Sequence, residues 1–328
     1  MSTPSPLPVS PALLEAPVLA HVVRSGVVES VHRASVVVTR PDGEVLWQLG
    51  DASGPVFARS SNKPVQGAAM VRAGLDLPQR QLAVACASHS GEPFHLETAL
   101  DILVGAGLTP KALRNTPDLP FDEQEREAWI REGRARTALA QNCSGKHAAM
   151  VATCVANGWD VASYLDPEHP LQQGVLATIE DLSGERVSAV AVDGCGAPLQ
   201  AYPLVGLARA FGRIAAAADG TPERRVADAI GAFPELLGGT RRAVTALIRE
   251  VPGLVAKDGA ESVYAVGLRD GRGVAVKVVD GFARAAPVVV AAVLRQMGVE
   301  APEALAQLEH APVLGHGEPV GAVVAVGF

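Results

Sequence analysis

Strand-forming segments lie at both ends of this chain and helix-forming ones fill the middle, and that distribution constrains the fold most. Residues 19–25, 27–32 and 34–40 are rich in valine and other β-formers, and Pro41-Asp42-Gly43 supplies a turn into 44–49. From Lys63 the spacing predicts helices: Pro64 fits a first turn and Gly74 an end, followed by 93–104, 122–138, 144–157, 171–182, 204–217, 222–232 and 241–251. One short buried strand is expected at 188–192. Strands return at 263–268 and 274–279 around the turn Asp270-Gly271-Arg272-Gly273, then helices at 283–297 and 302–308, and a closing strand at 320–328. The pattern does not alternate as βαβ units, which argues against a doubly wound parallel sheet. The expected class is α+β: one antiparallel sheet built from N- and C-terminal strands, packed with a helical middle lobe at 64–253. Residues 1–12 read as a flexible tail and 13–328 as a single domain.

The composition narrows the partners. Asp plus Glu is 35 against 28 Lys plus Arg, a net charge of −7, which argues against nucleic acid or an anionic membrane. With 48% apolar and 19% charged residues the chain is no disordered polymer. Four scattered cysteines make no disulfide framework, which suits a reducing compartment. No basic residue precedes the first apolar stretch, and the apolar run 285–294 is too short to span a bilayer and contains Pro287. A soluble, cytoplasmic protein is expected.

Lysine is scarce. It occurs only at 63, 111, 146, 257 and 277, and the other 23 basic residues are arginine. Arginine does not accept a proton, whereas a buried lysine can, so each lysine merits inspection. Ser60-Ser61-Asn62-Lys63 stands directly before Pro64. A serine and a lysine three residues apart at a helix start share a face, and a neutral amine there can take the hydroxyl proton. Neutralising a lysine amine at neutral pH means moving it about three pKa units, or about 4 kcal/mol, which burial and nearby cations must supply. The alternative is a capping serine beside a solvated lysine.

Cys86-Ala87-Ser88-His89-Ser90 follows an apolar run and suits the wall of a site; it also fits a capping turn before the next helix. Lys257-Asp258-Gly259 lies beside the strand at 263–268. The order Ser-x-x-Lys, Ser-x-Ser, Lys-x-Gly parallels the three elements of penicillin-recognising serine enzymes, although the second is not Ser-Asp-Asn and the third lacks threonine. Asn142-Cys143-Ser144-Gly145-Lys146-His147 opens a predicted helix, and Asp193-Gly194-Cys195 ends the strand at 188–192. Cys143, Lys146 and Cys195 suit a borderline-soft metal such as zinc with one position left for water. Two buried free thiols, or a catalytic cysteine, are the other readings of the same spacing. His95, His310 and His316 read as surface or capping residues, His169 as a turn before a helix, and Arg224, Arg225, Arg241 and Arg242 as solvated faces.

Together, residues 27–33, 58–60 with 63–66, 86–90, 142–147, 169–172, 193–195 and 257–260 resemble the bacterial asparaginase II family of the rhizobial, thermolabile type. The resemblance implies a fold related to serine β-lactamases and some glutaminases, and hydrolysis of L-asparagine to aspartate and ammonia. It implies two Ser-Lys pairs, Ser60 with Lys63 and Ser88 with Lys257. A zinc held by Cys143, Lys146, Cys195 and water is also implied, in a homodimer. Arg59, His89 and Asp193 are the candidate substrate contacts, Arg59 equally a structural residue. Residues 236–242 match no part of the family pattern. The competing functions are a related amidase, glutaminase or β-lactamase-like, and a non-catalytic zinc- or ligand-binding protein. If the reading holds, Lys63, Lys146 and Lys257 do not tolerate arginine, while Lys111 and Lys277 do.

Overall fold

The computed structural model describes residues 11–328. The expected tail at 1–12 lies outside the described residues except for its last two, which open the turn Pro11–Leu14.

The main sheet is antiparallel and eight-stranded. Its strands are β1 (Val18–Arg24), β2 (Val27–Thr39), β3 (Val45–Leu49), β7 (Val255–Gly259), β8 (Val263–Gly267), β9 (Gly273–Val278), β10 (Pro312–Gly315) and β11 (Glu318–Ala325). The order is β10-β11-β1-β2-β9-β8-β7, with β3 beside the second half of β2. The expected sheet from both termini is therefore present, joined where Val22 of β1 faces Ser30 of β2 on one side and Val323 of β11 on the other. The expected segments 27–32 and 34–40 form one 13-residue strand. Its first half pairs with β1 and its second with β9.

Strands β8 and β9 are buried along almost their whole length, which explains their near-continuous Val and Ala. Helix Leu204–Ala215 packs on them at unusually close range. A Cβ on Gly273 would lie 1.9 Å from the Ala208 carbonyl oxygen, and one on Gly267 2.0 Å from that of Phe211. Only glycine permits this approach. Helix Ala285–Gln296 packs on the same sheet.

The helical lobe surrounds Lys63–Arg72, whose first nine residues are all buried. Helices Ser144–Asn157 and Pro222–Ala232 have the bounds their spacing predicts. Three expectations are corrected. The helix predicted over 122–138 stops at Arg131, where Gly133 turns left-handed at φ +68°. The strand at Ala189–Val192 is not buried, with Val192 77% exposed. Nor does it stand alone: it is β5, an edge of a three-stranded sheet with β4 (Pro55–Phe57) and β6 (Pro198–Pro203). The apolar run before Cys86, for which no element is expected from the sequence, is a helix, Gln79–Ala85.

Candidate active site

Ser60 sits in a single 3-10 turn, Arg59–Asn62, that leads into the Lys63 helix. Strand β7 passes directly against this turn: a Cβ on Gly259 would meet Ser61 N at 3.0 Å and Ala58 O at 3.1 Å. Tyr202 of β6 holds the turn from another side, its hydroxyl donating to Asn62 Oδ1 (2.9 Å). Arg59, immediately before the serine, has φ +51°, a left-handed conformation costly for a non-glycine residue and concentrated at functional sites.

Lys63 points away from its own turn. Its buried Nζ lies within hydrogen-bond distance of Ala87 O (2.5 Å), Ser88 Oγ (2.9 Å) and Cys143 Sγ (3.1 Å). The hydrogen-bonded Ser-Lys pair is thus Ser88 with Lys63, not Ser60 with Lys63. Ser60 Oγ makes no protein hydrogen bond among the described residues. Lys257 does not bond Ser88 either; its side chain is fully buried and donates to Asp258 O and Oδ1, both at 2.7 Å. The four expected catalytic residues therefore converge, but with a different pairing, because side chains from separate segments meet only after packing.

The Ser88 segment is fixed by the backbone on two sides. Ser88 N bonds Leu237 O and Ser90 N bonds Gly238 O, while His89 N bonds Asn142 O. Glu92, N-terminal to helix Pro93–Gly105, does not cap it; its carboxylate takes Thr240 N and Oγ1. Residues 236–242, which fit no sequence pattern, thus brace the serine. His89 is corrected as a substrate contact. Its ring is fully buried, bonds Ser144 Oγ (2.8 Å), stacks on His95 and does not line the cavity. His95, expected at the surface, is also fully buried, and burial drives it down to about 4.

Cys143, Cys195 and Lys146 form a buried cluster, with Lys146 Nζ 3.3 Å from Cys195 Sγ. The neighbouring Cys195, with Lys63 and Lys146, draws the Cys143 thiol toward thiolate, while Cys143 and burial push Cys195 up. Burial opposes the Lys146 ammonium, yet the two sulfurs and the Asp193 carboxylate outweigh it and keep it charged. Asp193 closes the group: its carboxylate pairs with Arg59 Nε at 2.9 Å. Burial opposes its ionisation, but the Lys146 and Arg59 cations hold it below the usual carboxylate range. Among the described residues no three His, Cys, Asp or Glu side chains are grouped to hold a metal, so a metal here needs the Lys146 amine as third donor. Two buried sulfurs converging with that amine fit zinc in donor chemistry. Cys86 and Cys154 lie in the main core, apart from this cluster, and burial pushes their thiols to about 12 and about 11.

Ser60 and Ser88 both line a cavity of about 380 Å³, with Asn142, Arg242, Asp258 and Tyr264. Arg242, expected to be solvated, instead pairs with Asp258 beneath the cavity. Burial lowers the Lys257 ammonium to about 8; Asp258 pulls the other way, and Lys63 and Arg242 add to the lowering. Sequence reasoning missed Arg242 and Tyr264: Tyr264 lies opposite Asp258 across β7 and β8, whereas Arg242 comes from a separate helix start and carried no local signal.

Among solved structures, one of the protein Mglu shares 15% identity, covers 88% of this chain and 72% of its own, with TM-score 0.44. Mglu in its native form shares 16%, over 81% of this chain and 65% of its own, at 0.42. A β-lactamase from Mycobacterium bovis shares 17%, over 81% and 95%, at 0.44. No curated protein matches significantly. Among the described residues no helix is long and apolar enough to cross a membrane. Residues 20–325 match the L-asparaginase II family, so the chain belongs to that family and is an amidohydrolase.

Proposed function

We propose that the chain hydrolyses the side-chain amide of L-asparagine through a serine ester. The observation that carries this reading is the buried Lys63 Nζ, 2.9 Å from Ser88 Oγ, at the wall of a ligand-sized cavity. Ser88 Oγ attacks the amide carbon while the amine of Lys63 accepts its proton. The C–N bond then breaks, the nitrogen takes a proton, and ammonia leaves. Water cleaves the ester, releasing aspartate and restoring the hydroxyl. The Lys257 and Arg242 cations, only partly offset by Asp258, keep this side of the cavity positive, which favours the oxyanion of each tetrahedral intermediate. Arg59 and Asp193, already paired with each other, suit the carboxylate and the amine of an amino-acid head.

Cys143, Lys146 and Cys195 would hold a zinc ion, which when bound supplies Lewis acidity and orients the amino-acid end of the substrate. Lys146 would then bind as the neutral amine, so metal uptake releases its proton.

A second reading, attack by Ser60, is favoured by the left-handed Arg59 that presents it to the cavity. The two are separated by ammonia release from asparagine with purified Ser88→Ala and Ser60→Ala. Removing the attacking serine should reduce kcat by about 10²-fold or more, and removing the other by less. Full activity in both variants would refute the serine ester.

A further inference from the structure

The cavity is far larger than the released ammonia needs. Ammonia is about the size of a water, roughly 30 Å³ of liquid volume, against about 380 Å³ here. Its lining beyond the serines has two characters. Ala286, Pro287 and Leu308, from the two helices after β9, are apolar. Beside them are three polar groups with no protein partner: Tyr264 Oη, Ser262 Oγ and Arg242 Nη1. Tyr264 is 2% and Ser262 3% exposed. Leaving a buried polar group without a partner is costly, so two hydroxyls and a guanidinium nitrogen in one cavity mark a place built for a ligand. All three can donate, and the Arg242 guanidinium can only donate, which favours an acceptor. Ser262 also holds φ +55°, next to Glu261 at φ +58°, a second strained turn at the same cavity.

Arg59 and Asp193 do not line this space. If they hold the amino-acid head, with the scissile carbon at the serines, the cavity receives what leaves on the amide nitrogen.

We propose that this chain also cleaves secondary amides of the aspartate side chain whose leaving amine carries an apolar group and an acceptor end, such as β-aspartyl amides of apolar amino acids. This rests on the amidohydrolase reading above. The serine oxygen bonds the β-carbonyl carbon, the C–N bond breaks, and the nitrogen takes a proton and leaves as a primary amine. Water then hydrolyses the ester. Leu308 and Pro287 contact the apolar group, and Tyr264 and Ser262 donate to the acceptor.

The test compares L-asparagine with β-aspartyl-leucine on one preparation, measuring released ammonia and leucine, in the wild type, Tyr264→Phe and Leu308→Trp. The expected result is leucine release by the wild type, with kcat/KM for β-aspartyl-leucine relative to asparagine falling at least about tenfold in both variants, equivalent to about 1.4 kcal/mol. Ammonia release without leucine release overturns this inference alone. A ratio unchanged in both variants overturns the assignment of the subsite. Turnover of neither substrate overturns the amidohydrolase reading beneath it.

Discussion

Asp258→Asn isolates the charge balance on which the proposed mechanism depends. Lys257 Nζ is wholly enclosed and donates to the Asp258 carboxylate at 2.7 Å. The groups facing this ammonium are Asp258, which favours its charge, and Lys63 and Arg242, which oppose it; burial is the largest cause and brings it to about 8. The Cys86 thiol, also close enough to sense the ammonium, stays neutral at about 12. A hydrogen bond to a charged group contributes roughly 1.5–3 kcal/mol, and one pKa unit is about 1.4 kcal/mol. Losing the carboxylate should therefore lower Lys257 by about one to two units, to about 6–7. The assay is the pH profile of kcat/KM for asparagine, with melting curves to confirm folding. If the Lys257 cation stabilises the oxyanion, activity falls above pH 8 in the wild type, and this limb moves down by the same one to two units in the variant. An unmoved limb in a folded variant would refute the role given to Lys257. The linkage sign is also fixed. With its pKa depressed, folded Lys257 holds fewer protons than unfolded Lys257 between about pH 8 and the ordinary lysine range. Its cost to stability, about 3 kcal/mol, is complete below pH 8 and fades as the pH rises above it.

Lys63→Arg and Lys146→Arg should lose most activity, because a guanidinium neither accepts the serine proton nor ligates metal; Lys111→Arg should keep it, as steady-state ammonia release will show. Lys277, expected to tolerate arginine, donates instead to Glu261 O and Val278 O at 2.6 Å each. Lys277→Arg should therefore disturb the strained Glu261 turn and raise KM more than it lowers kcat. Cys143→Ser should lower bound zinc by at least about tenfold in elemental analysis, without changing the melting curve by more than a few degrees. Gly145→Ala would place a Cβ 2.3 Å from Val84 O; about 1–3 kcal/mol of overpacking should show as a lower Tm.

Much of this arrangement was legible in the chain, and the failures have physical causes. Helix Pro222–Ala232 was legible because it buries one face and Thr221 caps its start, whereas Ser144–Asn157, buried on every side as far as Cys154, was marked by its few β-branched residues and by Gly158, which turns left-handed after it. Periodicity missed β6, whose six residues begin and end in proline, so the alternation of a strand is masked. The site residues stood out by type and rarity, but the pairing did not. Spacing placed Lys63 beside Ser60, whereas Lys63 reaches across to the Ser88 segment. Which segment packs against which is set by the tertiary fold, beyond any local rule. For the same reason residues 236–242 carried no signal: their part is played by backbone carbonyls of Leu237 and Gly238, which every residue type possesses.

The pairing of β1 with β11 bears on when this protein acquires its site. Ala20 lies opposite Ala325, so this side of β1 stays unpaired until residue 325 has emerged from the ribosome. Contacts this distant in sequence form slowly, because closing a long loop precedes any gain from pairing. The serines are made early and Lys257 late, on a strand that joins the sheet only through β8 and β9. A nascent chain would thus carry both hydroxyls without the cation set against them. Its hydrolytic capacity should arise in one late step, with completion of the sheet, rather than accumulate during synthesis.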